Sequence, residues 1–158
     1  MNAEVTVVGE ALIDIVMPVE GPSSEHVGGS PANVAIGLAR LGHPTHLATH
    51  IGTDQRGQRI AALMAAESVS LSADSLTAQR TPTAAAHLDA AGVATYQFDL
   101  DWRLDPARVT IAPGGHVHTG SIAATLSPGG AAVAKIVATA REHATVSYDP
   151  NARPTLMG

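Results

Sequence analysis

Cysteine is absent from all 158 residues, which rules out disulfides and thiolate metal sites. A reducing compartment is the simple expectation. Aromatic residues are scarce as well, with one Trp, one Phe and two Tyr, 3% of the chain. The core must then be built mainly from alanine and branched aliphatics, which suits helices packed tightly on a sheet. Charged residues make up only 15%, the net charge is −5, and no long run carries one sign. That balance argues against nucleic acid or an anionic membrane surface as a partner. No apolar run approaches the roughly 20 residues that cross a bilayer. Met1-Asn2-Ala3-Glu4 offers no basic leader, and Val5–Val8 is too short for a signal core. A cytoplasmic α/β protein is expected, forming one domain that buries roughly 70% of its unfolded surface.

Several chemical signatures are also missing. No Gly-x-Gly-x-x-Gly follows the first strand, so the dinucleotide-binding fingerprint fails. No Gly-x-Ser-x-Gly elbow supports a hydrolase. Gly52 and Gly57 have P-loop spacing, but Gln58-Arg59 stand where a phosphate-gripping lysine and a magnesium hydroxyl are required. That segment reads instead as a capped helix start, with Ile60, Leu63 and Met64 on an apolar face.

What is present is concentrated at Gly28-Gly29-Ser30-Pro31-Ala32-Asn33. Two glycines allow close approach of the backbone to a ligand. Ser30 is expected to cap a helix, with Pro31 at its first position. Asn33 then offers one acceptor and two donors over the helix N-terminus. Residues 34–41 are apolar nearly all round and predict a helix buried on every side, closed by Gly42 and Pro44. A buried helix with a polar, glycine-lined mouth is a scaffold for a small-molecule site.

Alternation and turn residues predict strands at 5–8, 45–51, within 69–76, at 116–121 and at 145–148, and a hairpin from 84–88 and 93–98. A last helix is expected over 128–142. Residues 17–27, with Pro18, Gly21 and Pro22, read as a loop or hairpin excursion. Asp14 interrupts an apolar run after the first strand, where an ionised carboxylate needs partners. Its two oxygens match a pair of neighbouring hydroxyls; a turn or cap aspartate is the alternative. His43, His46 and His50, and the pair His116 and His118, read as ordinary strand or loop histidines rather than metal ligands. In Asp149-Pro150-Asn151-Ala152-Arg153-Pro154, two prolines stiffen a loop that carries a carboxylate, an amide suited to a hydroxyl and a guanidinium suited to a planar anion. A rigid turn with a surface salt bridge is the alternative there.

The pattern Gly28-Gly29-x-Pro31-x-Asn33-x-Ala35, with Gly42 after six residues and Gly52 after nine more, resembles the first signature of the ribokinase-like (PfkB) carbohydrate kinases. The segment from Asp149 to Pro154 resembles the fructokinase-like branch. The resemblance implies a three-layer α/β sandwich around a mostly parallel sheet, with a small β lid from segments near 12–28 and 82–100. It implies transfer of the ATP γ-phosphoryl group to a sugar hydroxyl. It also implies sugar contacts at Asp14, Gly28, Gly29 and Asn33, joined by Asn151 and Arg153, with a pocket floor near Gly120 and Ser121. Trp102 reads as a half-buried surface residue or, on the resemblance, as a neighbour of that pocket. ATP and magnesium are the implied cofactors, a monovalent cation is a further candidate, and a homodimer through the lid is implied.

The family runs about as long again as this chain. Its second signature, an Asp-Thr-x-Gly-Ala-Gly-Asp-like stretch with the catalytic aspartate, does not occur in these 158 residues, and neither does its Asn-x-x-Glu magnesium motif. No catalytic residue and no metal ligand is therefore assigned. The chain is expected to be a truncated, N-terminal and sugar-binding half, inactive and poorly stable alone because a parallel sheet cut midway exposes an edge and an apolar face. Two further readings stay open: an inactive remnant or sugar-binding module, and a nucleoside kinase of the same superfamily.

Overall fold

The structure, a computed structural model, describes residues 2–151. Its strands are β1 (Val5–Val8), β2 (Leu12–Met17), β3 (Ser24–Gly28), β4 (Thr45–Ala48), β5 (Val69–Leu71), β6 (Thr83–Leu88), β7 (Ala94–Asp99), β8 (His116–Gly120) and β9 (Thr145–Asp149). The helices are α1 (Ser30–Arg40), α2 (Gln55–Ala66), α3 (Ser121–Thr125) and α4 (Gly129–Ala140).

The run Val5-Thr6-Val7-Val8 is entirely β-branched, and all four residues are buried. That is the signature of a central strand covered on both faces. It lies in the middle of a five-stranded parallel sheet, ordered β5-β4-β1-β8-β9. Alternation sorts its side chains. Val5 and Val7 join Leu47, Ala32, Ala35, Ile60 and Met64 in one core, so α1 and α2 cover that face. Val8 joins Val117, Trp102, Val133 and Ile136 in a second core under α4. The expected α/β layering, with helices on both faces of a parallel sheet, is what forms.

A second sheet, ordered β3-β2-β6-β7, arises from the two hairpins. β2 pairs antiparallel with β3 and parallel with β6, and β6 pairs antiparallel with β7. β2 leaves β1 after only Gly9, Glu10 and Ala11, so the second sheet begins at the carboxyl end of the first. One of its faces is apolar: Ile13, Ile15 and Val27 pack into the core beneath α1 and α2.

Three local expectations are corrected. Ser30 does not cap α1. Gly29 holds that position at φ 101°, no side chain caps the helix, and Pro31 stands in its first turn. The helix is not buried all round either. Pro31, Ala32 and Ala35 are buried, whereas Asn33, Gly37 and Arg40 face outward, because only one flank meets the sheets. The strand expected over 45–51 stops at Ala48. Beyond it the Thr49 N–H donates to Ser75 Oγ at 3.3 Å, and Thr49 Oγ1 accepts from the Ala11 N–H at 3.0 Å, so side chains replace the ladder.

Asp54 is the capping residue of α2, as its sequence context suggests. Its carboxylate accepts from the Gly57 N–H at 2.9 Å, the Thr81 N–H at 2.8 Å and Thr81 Oγ1 at 2.6 Å. Burial would raise its pKa, but the bonds from the Thr81 hydroxyl and the N–H groups outweigh burial and hold it below the usual carboxylate range. Asp54→Ala removes a helix cap together with the tie to the start of β6, and should destabilise the protein by about 1–2 kcal/mol in urea denaturation.

Candidate functional site

Alternation along β2 sends Ile13 and Ile15 into the core and Asp14 to the opposite face. Across the sheet, Asp14 stands opposite His26 on β3 and Ala84 on β6, and Ala84 stands opposite Phe98 on β7. Residues in one such row share a face, so Asp14, the small Ala84 and Phe98 look the same way. They look into a cavity of about 490 Å³. Leu12, Asp14 and Ala84 line it from the second sheet, with Tyr96 and Phe98 beside them. Gly29, Ser30 and Asn33 line it from the start of α1. Glu10, Gly120 and Ser121 come from the carboxyl ends of β1 and β8, and Asp149 and Asn151 from the end of β9. Such ends are where ligands of open parallel sheets collect.

The structure therefore brings Asp14, Gly29, Asn33 and Asn151 to one place. Gly28 does not line the cavity. Its bare Cα lies against the Asp14 carboxylate, and a Cβ there would overlap Oδ2. Gly28 thus supports the acid rather than facing the space it guards. Asn151 is exposed at the cavity, and its carbonyl accepts a hydrogen bond from Ser121 Oγ, which ties the β9 loop to the start of α3. Arg153 lies outside the described residues.

Three lining residues escape a reading of local motifs: Glu10, Tyr96 and Phe98. Tyr96 and Phe98 stack with ring centroids 6.0 Å apart and planes 15° from parallel. Their i, i+2 spacing on a strand was the available signal for a shared face. Trp102 proves to be core, only 3% exposed. Its Nε1 donates to the Ala123 carbonyl at 2.9 Å and its ring packs on Gly129, away from the cavity.

Three of the histidines are held by hydrogen bonds within the fold. His50 is buried with Nδ1 2.9 Å from the Asp101 carbonyl. His116 and His118 share one side of β8, and both lie within hydrogen-bond reach of Ser147 Oγ, at 2.7 and 2.9 Å. Among the described residues no group of three His, Cys, Asp or Glu is placed to hold a metal ion. Burial pushes the His118 pKa down, against the pull of Asp149. A depressed imidazole favours the fold above its ordinary value of about 6.5, and that contribution is lost as pH falls below it, because the unfolded chain takes up the proton first. Urea midpoints should therefore fall between about pH 7.5 and pH 5.5, and His118→Gln should lessen the fall.

A parallel sheet with helices on both faces, and a small second sheet at its carboxyl end beside a cavity lined by both polar and apolar side chains, defines the ribokinase-like α/β class. The chain belongs to the pfkB family of carbohydrate kinases, whose family model matches residues 2–158. It is 35% identical to a fructokinase of Klebsiella pneumoniae over 99% of this chain and 53% of that protein. It is 34% identical to a fructokinase of Salmonella typhimurium with the same coverage, 99% and 53%. The chain thus spans about half the length of the curated relatives it matches. Among solved structures, it is similar to the apo fructokinase of Vibrio cholerae O395, with a TM-score of 0.85 and 26% identity over 99% of this chain and 56% of that one. A double mutant of the same fructokinase, in a form with fructose, ADP and potassium ion bound, gives a TM-score of 0.82 at 26% identity, covering 99% and 53%. No helix among the described residues is long and apolar enough to cross a membrane.

Proposed function

We propose that this chain forms the sugar-binding side of an ATP-dependent sugar kinase of the fructokinase type. The observation that carries the reading is the convergence of Asp14, Gly29 and Asn33 on one cavity at the carboxyl end of the parallel sheet. Asp14 presents two acceptor oxygens to neighbouring hydroxyls, and Asn33 adds one acceptor and two donors. Gly29 offers bare backbone at closest approach. Asn151 contributes from the β9 loop, and Arg153 is a proposed further contact. Phe98 and Tyr96 supply an apolar wall for the C–H face of a sugar ring. The segments near 12–28 and 82–100 act as a lid, and a homodimer through that lid and a cytoplasmic location belong to the same proposal.

Fructose is the first-choice substrate, because the curated relatives are fructokinases and the similar Vibrio cholerae structure holds fructose with ADP. In the whole enzyme ATP donates the γ-phosphoryl group, accompanied by magnesium and a monovalent cation. The described residues group no metal ligands, so no step is assigned to a metal here. The contribution of these residues is to hold the sugar so that one hydroxyl faces the donor, and in phosphoryl transfer alignment supplies much of the rate. Calorimetric titration of the purified protein with fructose, ribose and adenosine tests the reading. Fructose should bind most tightly. Adenosine binding without fructose binding would overturn it in favour of a nucleoside kinase.

A further inference from the structure

We propose that Glu25 is a positioning residue: it straps the hairpin that carries Asp14 onto α2, so that binding of an uncharged sugar depends on an ion pair the sugar never touches. The inference rests on the sugar-binding reading of the cavity. Glu25 sits on β3 and is partly buried. Its carboxylate accepts from Arg56 Nε at 3.1 Å, from Arg56 Nη2 and from Arg59 Nη1 at 2.8 Å. Its backbone carbonyl accepts from Arg59 Nη2 at 3.1 Å. Arg56 and Arg59 are three residues apart on α2, so both guanidinium groups reach one carboxylate. The Arg56 hydrogen bond holds the Glu25 carboxyl below the usual carboxylate range against a smaller upward push from burial, and Arg59 adds to the effect.

The position of this strap gives it leverage. β3 is the edge of its sheet and pairs with β2 alone there. Three residues beyond Glu25, Gly28 backs the Asp14 carboxylate, and Gly29 then opens α1 at the cavity. α2 is anchored in the first core through Ile60 and Met64. Glu25 therefore ties an edge strand to a helix anchored in the core, directly beside the wall that carries Asp14. Releasing it lets the hairpin sample poses in which Asp14 is misplaced, and the apparent dissociation constant rises by the inverse of the competent fraction.

A neutral sugar makes the test clean, because salt cannot screen a ligand that has no charge. Fructose affinity should fall about threefold to tenfold between about 20 mM and about 500 mM NaCl, as the strap is screened. Glu25→Gln and, from the other side, Arg59→Met should bind about threefold to tenfold more weakly at low salt and lose most of the salt dependence. Hydrogen exchange, which needs no ligand, should speed up over residues 12–28 in both variants, while α4 and the main thermal transition stay unchanged. Wild-type affinity and salt slope in both variants would overturn the proposal. Should the wild-type protein bind no fructose, the sugar reading falls, and unchanged exchange in Glu25→Gln overturns the strap as well.

Discussion

Asp14→Ala should weaken fructose binding by at least about 100-fold and leave the fold intact. Hydrogen bonds to a charged group are worth about 1.5–3 kcal/mol each, and losing two of them corresponds to a factor of about 100 or more. The carboxylate is partly exposed at the cavity, so its removal opens no void in either core. Asp14→Asn keeps the shape but trades one acceptor for a donor, and should fall between the two. Calorimetry measures the affinity, and a thermal melt on the same samples shows that the fold is retained. A loss below about tenfold for Asp14→Ala would remove Asp14 from the sugar site.

Gly29→Ala should destabilise the protein by about 3–5 kcal/mol, through two separate effects. Gly29 has φ 101°, a conformation that side chains rarely adopt. A Cβ there would lie 2.6 Å from the Glu10 carbonyl oxygen and 3.1 Å from Ala11 Cα. Both are backbone atoms of the link between β1 and β2, and neither can rotate away. The neighbouring glycine behaves differently. At Gly28 the obstacle is the Asp14 carboxylate, the far end of a side chain. Gly28→Ala should therefore move Asp14 and weaken sugar binding while lowering the urea midpoint much less than Gly29→Ala. Equal stability losses at the two positions would show that both serve the fold alone.

Much of the fold was legible because the chain is strongly punctuated. β-branched runs end at glycine or proline, and Gly42, at φ 85°, closes the α1 segment where expected. The parallel sheet follows from buried strands alternating with helices. The candidate site was legible where its residues are close in sequence, as in Gly29 to Asn33, although Gly28 stands behind Asp14 instead of at the cavity. It was illegible where register assembles it. Phe98 reaches the cavity because it stands across Ala84 from Asp14, a relation carried by strand pairing over 84 residues and by no local pattern. Glu10 arrives because the strand ends of one parallel sheet point the same way, which brings the end of β1 beside those of β8 and β9. Trp102 misled because polar neighbours flank it, whereas its indole N–H finds the Ala123 carbonyl and allows full burial. The exposed flank of α1 shows the same limit. An all-apolar helix announces burial, but only packing decides which of its sides is covered.

The central claim is that a carboxylate, an amide and bare backbone meet around a polyol at the carboxyl end of the sheet. A crystal structure of the protein soaked with fructose tests it most directly. The account predicts fructose in the cavity, with two neighbouring hydroxyls on the Asp14 carboxylate and a third on Asn33. Fructose bound elsewhere, or in the cavity without touching Asp14, would contradict it.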